Sequence, residues 1–544
     1  MSLNSRHGLL VIIAAAVIWF AMLGYRDLLE PDEGRYAEIP REMVATGDWL
    51  TPRINGFKYF EKPPLQYWIT AATYRLFGQS NTSARLWLAV SSFACALFVG
   101  YLGHRLFGRD TGYYAPVMLL SSTLYVVLGH LLTLDMSLAV FMTVGIGSLT
   151  LAQTQRDRAS HVRNWMLLGW AALAAALLTK GLIGIVLPGL AVLLYMLWQR
   201  DWAIMKHLHI GKGLLLLFAI AAPWFVAVSM ANEEFAHFFF IREHFERYTS
   251  TVHEREGPLY YFILVFLLGI SPWLTSSLSS LFKPGFSWRP AANTGFDVER
   301  FLWVFVVTVF VFFSLGKSKL PAYILPIFPF VALLAAKRLA EDGRVIWDQW
   351  VMSGLAVASL VLGIIITRFA TETIPVELYE NSRPWIFACV AILSVGTLSM
   401  FKWAGQPGIA IATGGLCAML GCQLLLWGFQ NIAESRSSAG IARAITASVN
   451  QEVPVYAYGS YPHSLPFYLR RTIALALFRG ELAMGIDSEP DKWISSPGEF
   501  VRRWQNETQA VAVMRFSNYS QLVKLGVPMR VIYEGPRRIA VVRQ

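Results

Sequence analysis

Charged side chains are scarce in this chain. Only 15% of its 544 residues are Asp, Glu, Lys or Arg, whereas soluble domains carry roughly a quarter. The mean hydropathy is +0.47. Apolar runs recur from Leu9 to Trp427, and a run of about 20 apolar residues is long enough to cross a bilayer as a helix. The composition therefore excludes a soluble enzyme and predicts a polytopic α-helical membrane protein.

Several chemical signatures are also missing. No glycine-rich phosphate loop and no Asp-x-Asp motif stands out, so we expect no soluble nucleotide donor. The first apolar run lacks a small-residue cleavage site, and we expect it to be a retained span. The cysteines lie in apolar runs without metal-ligand spacing, which favours small core residues; they are Cys95, Cys389, Cys417 and Cys422.

The apolar runs predict about thirteen transmembrane helices. A run from 164 to 198 is too long for one helix, and a lysine at mid-bilayer is costly, so a turn is expected at Lys180 and Gly181. The candidate spans are residues 8–25, 83–106, 112–130, 133–151, 164–179, 180–198, 212–230, 258–279, 299–315, 321–336, 349–368, 383–401 and 407–427.

Basic residues orient these spans. With the N-terminus in the cytoplasm, the short cytoplasmic loops carry Arg and Lys, as the positive-inside tendency requires. This accounts for the net charge of +11 without nucleic-acid binding. Three groups break the bias on the opposite, outer side, and we infer that an anionic ligand binds there; they are the loop 26–82, the loop 231–257, and the lysines Lys180, Lys317 and Lys319.

The composition changes after Trp427. We expect a transmembrane domain, residues 1–429, and a soluble α/β domain on the outer face, residues 430–544. Alternating patterns predict the strands and helical patterns the helices of this second domain. The strands are expected at 454–460, 472–478, 510–516, 531–533 and 539–542, and the helices at 500–505 and 519–525.

Loop 26–82 opens with the acidic pair Asp32 and Glu33. Asp32 can cap a short helix through Ala45, but two carboxylates at headgroup depth are expensive without partners, which favours a functional role. Pro40 is expected to kink this helix. Its apolar residues share one face, which predicts a helix lying in the interface plane; they are Tyr36, Ile39, Met43 and Val44.

Lys62 precedes two prolines, Pro63 and Pro64, which fix an extended backbone and present its amino group from a stiff segment. A lysine at headgroup level is a good phosphate partner, although snorkelling at the interface would place it there too. Glu61 could orient Lys62, contact a sugar hydroxyl or bind a metal.

Two further spans begin or end with charge on the same side. Asp135 starts the fourth span, where it is either a helix cap or a functional acid. Loop 231–257 mixes histidines, arginines and phenylalanines, which predicts a helix on the membrane facing an anionic headgroup. We choose Arg247 as its phosphate ligand, although Arg242 or Arg255 would serve the same chemistry.

A tight turn holds Lys317 and Lys319, with Tyr323 one helical turn further on. This group either holds an acceptor phosphate or a sugar, or it anchors the turn at the interface.

The chain resembles the GT-C-type polyprenyl-phosphate-sugar glycosyltransferases, and within them the 4-amino-4-deoxy-L-arabinose lipid A transferases. The likeness covers nearly the whole chain, and the first two of the motifs that carry it are specific. The acidic pair alone is shared with protein O-mannosyltransferases. The motifs are Pro31–Glu38 (PDEGRYAE), Phe60–Leu65 (FEKPPL), Leu134-Asp135, Thr179–Gly181 (TKG) and Lys317–Tyr323 (KSKLPAY).

The resemblance implies an active site at the periplasmic face of the bacterial inner membrane. The donor would be undecaprenyl phosphate carrying aminoarabinose, and the acceptor a lipid A phosphate. The modified surface would bind polymyxin and other cationic peptides less well. We expect a monomer that needs no cofactor, with a divalent cation at Glu61 left open.

The resemblance also assigns roles to residues. Carried over by motif, Asp32 and Asp135 form the acidic, catalytic centre, and Lys62 meets the carrier phosphate with Lys180 and Arg247. The other expected substrate-binding residues are Glu61, Glu33, Tyr59, Lys317, Lys319 and Tyr323.

Two alternatives stay open. A transferase of the same type could glycosylate a protein hydroxyl, and Asp32 would then act as a base. With a phosphate acceptor, which is already ionised, Asp32 would orient the acceptor or bind the sugar amine. A flippase for lipid-linked sugars is the third reading, but such transporters tend to show repeats and mid-membrane charges, and neither is evident here.

Overall fold

The computed structural model describes residues 5–246, 257–282 and 295–543, apart from residues 344, 346, 372 and 373. In this part the chain forms a bundle of apolar helices with an α/β domain packed on one end. We call this end of the bundle, which also carries residues 26–82, the loop face.

The helices of the first domain account for every apolar run. They are α1 (Ser5–Phe20), α2 (Asp32–Thr46), α3 (Leu65–Phe77), α4 (Asn81–Phe107), α5 (Arg109–Leu120), α6 (Thr123–Gly129), α7 (Asp135–Thr154), α8 (Ala159–Lys180), α9 (Ile183–Gln199), α10 (Ala203–His207), α11 (Ile210–Ala231), α12 (Glu234–Ala236), a π-helix (His237–Glu246), α13 (Tyr261–Gly269), α14 (Leu274–Leu281), α15 (Val298–Leu315), a 3-10 helix (Pro321–Ile327), α16 (Phe328–Asp342), α17 (Asp348–Ile365), a 3-10 helix (Ile366–Phe369), α18 (Val376–Lys402) and α19 (Pro407–Gly428).

Nine helical segments of the described chain are long and apolar enough to cross a membrane. Helices α5 and α6 form a tenth candidate that bends by 64°, α1 and α9 are shorter, and α13 and α14 are separated by residues 270–273. Each of the thirteen predicted spans falls on one of these elements. The fold class is confirmed, and the number of helices that cross the bilayer stays a prediction.

The long run from 164 to 198 divides where its lysine stands. Helix α8 ends at Lys180, and Gly181 follows with a φ of 86°, a backbone conformation that glycine adopts without a Cβ penalty. Helix α9 begins two residues later. The predicted turn is confirmed, and it brings the Lys180 amino group to the end of the bundle.

The second domain is a six-stranded mixed sheet with the order β5-β4-β3-β6-β8-β7. Strands β3 to β6 pair in parallel, and β8 joins β6 and β7 antiparallel. Buried Phe500 and Trp504 cover one face of the sheet. A small hairpin, β1 (Arg53–Ile54) with β2 (Phe57–Lys58), lies in loop 26–82; the sheet strands are β3 (Val455–Tyr458), β4 (Ala474–Ala476), β5 (Trp493–Ile494), β6 (Val511–Met514), β7 (Met529–Glu534) and β8 (Ile539–Arg543).

The five predicted strands and both predicted helices of this domain are present. Strand β5 was not expected, because two residues are too few to show an alternation. The helices are α20 (Gln430–Ala433), α21 (Ala439–Ser448), α22 (Leu465–Leu469), α23 (Ala483–Ser488), α24 (Pro497–Asn506) and α25 (Phe516–Lys524), with 3-10 turns at Glu434–Arg436, Gly480–Leu482 and Pro490–Lys492.

Loop 26–82 packs against both the bundle and the sheet domain. Every residue of α2 from Glu33 to Met43 is buried, because the helix packs between α3 and α22. Its polar face is therefore covered as well as its apolar face, and its position in the interface plane stays a prediction. Its N-cap is Pro31, and the side chain of Asp32 makes no capping bond.

Glu33 is the anchor of this loop. Its carboxylate is 1% exposed and receives four hydrogen bonds of 2.6 to 3.1 Å from the guanidinium groups of Arg26 and Arg85. The backbone amides of Leu29 and Leu132 donate two more at 3.0 Å. Burial alone would raise the pKa of Glu33, but the two guanidinium groups outweigh it and hold that pKa far below its usual range.

The sheet domain docks on the loop through ion pairs as well as apolar contacts. Arg538 pairs with Glu30, Glu489 pairs with Arg53 at 2.9 Å, and Glu481 pairs with Arg35. Burial alone would raise the pKa of Glu481, but Arg35 and His463 overcome this and lower it to about 2.

Replacing the anchor carboxylate tests its structural role. Glu33→Gln leaves two buried guanidinium groups without a counter-charge, and breaking a buried ion pair in this way costs about 3–5 kcal/mol. We expect a markedly lower unfolding temperature in detergent, measured with a thiol-reactive fluorophore that reports exposure of buried cysteines. Asp32→Asn, one residue earlier and half exposed, is the matched control and should unfold close to the wild type; equal unfolding temperatures for all three proteins would contradict the role of Glu33.

The Glu481 pair predicts a pH dependence of domain docking. Its pKa is lower in the folded protein than the ordinary carboxyl value of 4.5, so the stabilisation is complete above that value and is lost as the pH falls toward 2. A shift of this size corresponds to about 3 kcal/mol. The stability difference between wild type and Glu481→Gln should therefore be large at pH 6 and shrink below pH 4 in thermal unfolding scans; a difference that is constant over this range would contradict the assignment.

Candidate active site

Four elements of the loop face meet at the predicted site. They are the first turn of α2, the segment that leads from β2 into α3, the junction where α8 ends beside the start of α7, and the 3-10 helix that precedes α16. Each supplies at least one of the residues singled out from the sequence, which are Asp32, Tyr59, Glu61, Lys62, Asp135, Lys180 and Tyr323.

Asp32 and Glu33 face opposite ways. Successive helical residues are about 100° apart, so anchoring Glu33 inside the protein turns Asp32 outward, where its side chain is 46% exposed. The guanidinium group of Arg35 donates a hydrogen bond of 3.1 Å to Asp32. The expectation that Glu33 contacts substrate does not fit this geometry, because its oxygens accept bonds from Arg26, Arg85 and two amides.

Three carboxylates lie around one tyrosine. The phenol of Tyr36 is close enough to Asp32, Glu61 and Asp135 for each to act on its ionisation. Burial raises the pKa of Tyr36, Arg35 opposes this, and the three carboxylates raise it further. The acidic residues of α2, of the segment before α3 and of α7 therefore face a common space.

Asp135 pairs with Lys180. Both side chains are largely buried, at 13% and 16% exposure, and the Lys180 ammonium lies 5.0 Å from the ring centre of Tyr323. Asp135 is the first residue of α7 and its side chain makes no capping bond. Its carboxylate therefore neutralises Lys180, the last residue of the following helix, α8.

Hydrogen bonds behind this ion pair fix the start of α7. The Ser137 hydroxyl donates to Gln66 at 2.7 Å, and Gln66 donates to the Thr133 carbonyl at 3.1 Å. The Trp87 indole completes the line with a bond of 2.9 Å to Ser137. These contacts join α3, α4 and α7, so Asp135 stands on a rigid support.

Lys62 lies in a bend just before α3, and the expected extended backbone is not present throughout, because Pro64 has helical φ and ψ angles of -91° and -8°. Its ammonium donates to the carbonyl of Glu61 at 2.6 Å and lies 3.3 Å from a carboxylate oxygen of Glu243. Pro63 and Pro64 behind it are buried. The lysine is 13% exposed, so an anion that binds it has to share it with, or take it from, Glu243.

The segment 231–246 contacts the site differently from the prediction. Two of its phenylalanines, Phe235 and Phe239, are buried against Phe60 and Trp224. Arg242 is exposed and stacks on Phe238. Arg247 and Arg255 lie outside the described residues.

The two lysines of the turn before the 3-10 helix, Lys317 and Lys319, lie in different environments. Lys319 is 6% exposed and donates to the carbonyls of Ser314 and Gly316 at 2.8 and 2.9 Å, so it closes the end of α15. That Lys319 binds substrate stays a prediction, and its ammonium would have to leave these two carbonyls to do so. Lys317 is exposed, and the ring of Tyr323 joins the site through Lys180.

Two residues of the site were not singled out from the sequence. Arg35 is 8% exposed and lies over the rings of Tyr36 and Tyr59, at 5.7 and 5.9 Å from their centres. Glu481 reaches it from the sheet domain. The i, i+3 spacing from Asp32 to Arg35 was a usable signal, whereas nothing local in the sequence connects Glu481 to α2.

The inner wall of the site is aromatic. Tyr36 stacks on Tyr67 at 6.2 Å, and Tyr59 is 1% exposed. Among the described residues, no partner accepts or donates at the hydroxyls of Tyr59 and Tyr67. The contact of Tyr59 with the site is made by its ring, which lies under the guanidinium group of Arg35.

The described residues contain no group of three His, Cys, Asp or Glu side chains arranged to hold a metal ion. A cation at Glu61 would thus take other ligands from substrate or water. The site otherwise offers a half-exposed carboxylate, a second carboxylate paired with a lysine, and a lysine in a stiff turn. This arrangement suits a substrate that carries both an anionic phosphate and polar sugar groups.

Comparison with known proteins places this geometry in a family. Residues 441–543 match the model of the aminoarabinose transferase C-terminal domain, and residues 4–239 match that of the dolichyl-phosphate-mannose-protein mannosyltransferases. A protein of Shewanella sediminis named undecaprenyl phosphate-alpha-4-amino-4-deoxy-L-arabinose arabinosyl transferase is 29% identical over 92% of each chain. A Proteus mirabilis protein named as a second such transferase is 31% identical over 68% of this chain and 66% of its own length.

A solved structure matches almost the whole chain. The crystal structure of ArnT from Cupriavidus metallidurans bound to undecaprenyl phosphate is 33% identical in sequence, and the match covers 98% of this chain and 97% of that one with a TM-score of 0.89. Both the helical bundle and the sheet domain are therefore shared. The chain belongs to the ArnT family of membrane-embedded, lipid-linked-sugar glycosyltransferases.

Proposed function

We propose that the protein transfers 4-amino-4-deoxy-L-arabinose from undecaprenyl phosphate to a phosphate of lipid A, at the periplasmic face of the bacterial inner membrane. The convergence of Asp32, Glu61, Lys62, Asp135 and Lys180 at one end of the bundle carries this proposal. The relatives named for this donor and the match to an aminoarabinose transferase domain support the choice of sugar. The product would bind polymyxin less well, because it is less anionic.

The transfer breaks the bond between the sugar and the carrier phosphate. Undecaprenyl phosphate leaves as a phosphate monoester, so the site needs to offset its developing negative charge. Lys62 supplies that charge when it exchanges Glu243 for the phosphate, and Arg247 is our second candidate for the same oxygens. The chemistry of this leaving group is the reason to expect transfer without a resident cofactor.

The acidic residues act on the sugar and the acceptor. The sugar passes through an oxocarbenium-like state, which a nearby carboxylate stabilises. Asp32 is the exposed carboxylate, and it binds the sugar amine or orients the acceptor. Asp135 holds Lys180 in place through their ion pair, so that the lysine can receive a phosphate of donor or acceptor.

The two ends of the site are separable by substitution. We expect Asp32→Asn and Lys62→Ala to give full-length, membrane-inserted protein that transfers at least a hundredfold less labelled sugar from purified donor to lipid A, because each removes a charge that the transition state needs. Asp110→Asn and Lys212→Ala, at the other end of the bundle, are the matched controls. Wild-type rates in both site variants would remove these residues from the site.

The acceptor is tested in cells. Mass spectrometry of lipid A from strains with and without the gene should show aminoarabinose only when the wild-type protein is present, together with polymyxin resistance. The match to the protein mannosyltransferases favours one competing acceptor, a protein hydroxyl. Unchanged lipid A together with a glycosylated protein would replace our proposal with that one.

A further inference from the structure

Arg35 links the sheet domain to the site. Its guanidinium group donates to Asp32 at 3.1 Å on one side, and on the other its Nε donates to Glu481 at 3.2 Å while a terminal nitrogen makes a second, short bond to the same carboxylate. The bidentate contact fixes the plane of the guanidinium group. The orientation of the bond to Asp32 is therefore set by a residue more than 400 positions away in the chain.

Glu481 is itself fixed. The His463 ring lies 2.6 Å from the carboxylate through Nε2, and the Glu481 side chain is 18% exposed. His463 follows β3 and Glu481 follows β4, two neighbouring parallel strands. The edge of the sheet where ligands bind in open α/β folds is thus turned toward α2.

The loop after β3 comes very close to the backbone of α2 at Gly34. A Cβ at Gly34 would lie 2.6 Å from the backbone nitrogen of Ser464, so a side chain there would push the sheet domain away. Gly34 stands between Asp32 and Arg35 on the first turn of α2. The loop after β3 therefore touches the helix where the site residues project.

We propose that Glu481 is a positioning residue for the transfer reaction, which acts through Arg35 to hold the carboxylate of Asp32 in its reactive orientation. This inference rests on the function proposed above. An i, i+3 ion pair with a half-exposed carboxylate is weak by itself, and a single bond to Asp32 does not fix the plane of the Arg35 guanidinium group. The bidentate contact with Glu481, which His463 holds in turn, fixes that plane, and the sheet domain thereby becomes part of the catalytic apparatus without touching substrate.

The chain contains a matched control. Glu489 belongs to the same domain and accepts bonds of 2.9 and 3.0 Å from Arg53 in the β1–β2 hairpin. This pair also docks the sheet domain on loop 26–82, but among the described residues neither Arg53 nor Glu489 forms a hydrogen bond with Asp32 or Arg35. Glu489→Gln therefore loosens docking without changing the orientation of Asp32.

The test is steady-state transfer of labelled sugar to lipid A by the full-length protein, with rates expressed per molecule able to bind undecaprenyl phosphate. We expect Glu481→Gln to lower kcat at least tenfold and to leave the donor KM within twofold, since small misplacements of a reacting group cost up to about a hundredfold in rate. Glu481→Asp should recover part of the loss, and Glu489→Gln should stay within twofold of wild type.

A double substitution separates positioning from simple docking. If Glu481 acts through Arg35, Glu481→Gln should reduce kcat by less than twofold in an Arg35→Gln background. Equal losses in Glu481→Gln and Glu489→Gln, or a full additional loss in the double variant, would overturn the inference. A wild-type protein that transfers no sugar would overturn the proposed function and this inference with it, whereas a wild type that transfers while Glu481→Gln is unaffected overturns the inference alone.

Discussion

The buried contact between Glu33, Arg26 and Arg85 determines how the rest of the site is arranged. One carboxylate against two guanidinium groups in a dry environment is stable only with near-complete hydrogen bonding, and Glu33 receives six bonds in all. The contact joins four parts of the chain, which are the segment after α1, the start of α2, helix α4 and the segment before α7. Because adjacent helical residues point in different directions, burying Glu33 is also what exposes Asp32.

A second consequence concerns charge. Three cations of the site pair with acids of the protein: Lys62 with Glu243, Lys180 with Asp135, and Arg35 with Asp32 and Glu481. These three side chains therefore do not present uncompensated positive charge to a phosphate. An anionic group binds by exchange, replacing one charge-assisted hydrogen bond with another, so affinity has to come from the lipid chain and the sugar as well.

The sequence predicted the architecture well because its strongest signals are long and local. Apolar runs, the lysine at position 180 and the alternation in the last hundred residues each specify an element without reference to the rest of the chain. The same reasoning is incomplete for α2, whose apolar stripe through Tyr36 and Met43 predicts a helix in the interface plane but does not reveal that the opposite face is buried too. That helix is covered on its polar side by a domain that starts almost 400 residues later, and no local pattern encodes such a cover.

The site shows the same contrast between local signals, which the sequence reveals, and contacts between distant residues, which it does not. Asp32, Lys62, Asp135 and Lys180 could be found because charges next to apolar spans are exceptional. The partners of Glu33 and Lys319 could not be predicted, since a pattern cannot tell a carboxylate that contacts two arginines, or a lysine that contacts two carbonyls, from one that contacts substrate.

Arg35 and Glu481 show why sequence position misleads about function in this fold. The chemistry requires Asp32 to be exposed enough to meet a sugar, and exposure costs it the packing that would fix its rotamer. A rigid second contact therefore has to come from outside the helix. The side of α2 that faces the bundle is occupied by the Glu33 anchor, so this contact comes from the side that faces the sheet domain. The loop after β3 packs against that side. The absence of a side chain at Gly34 lets the loop come close enough for Glu481 to reach Arg35.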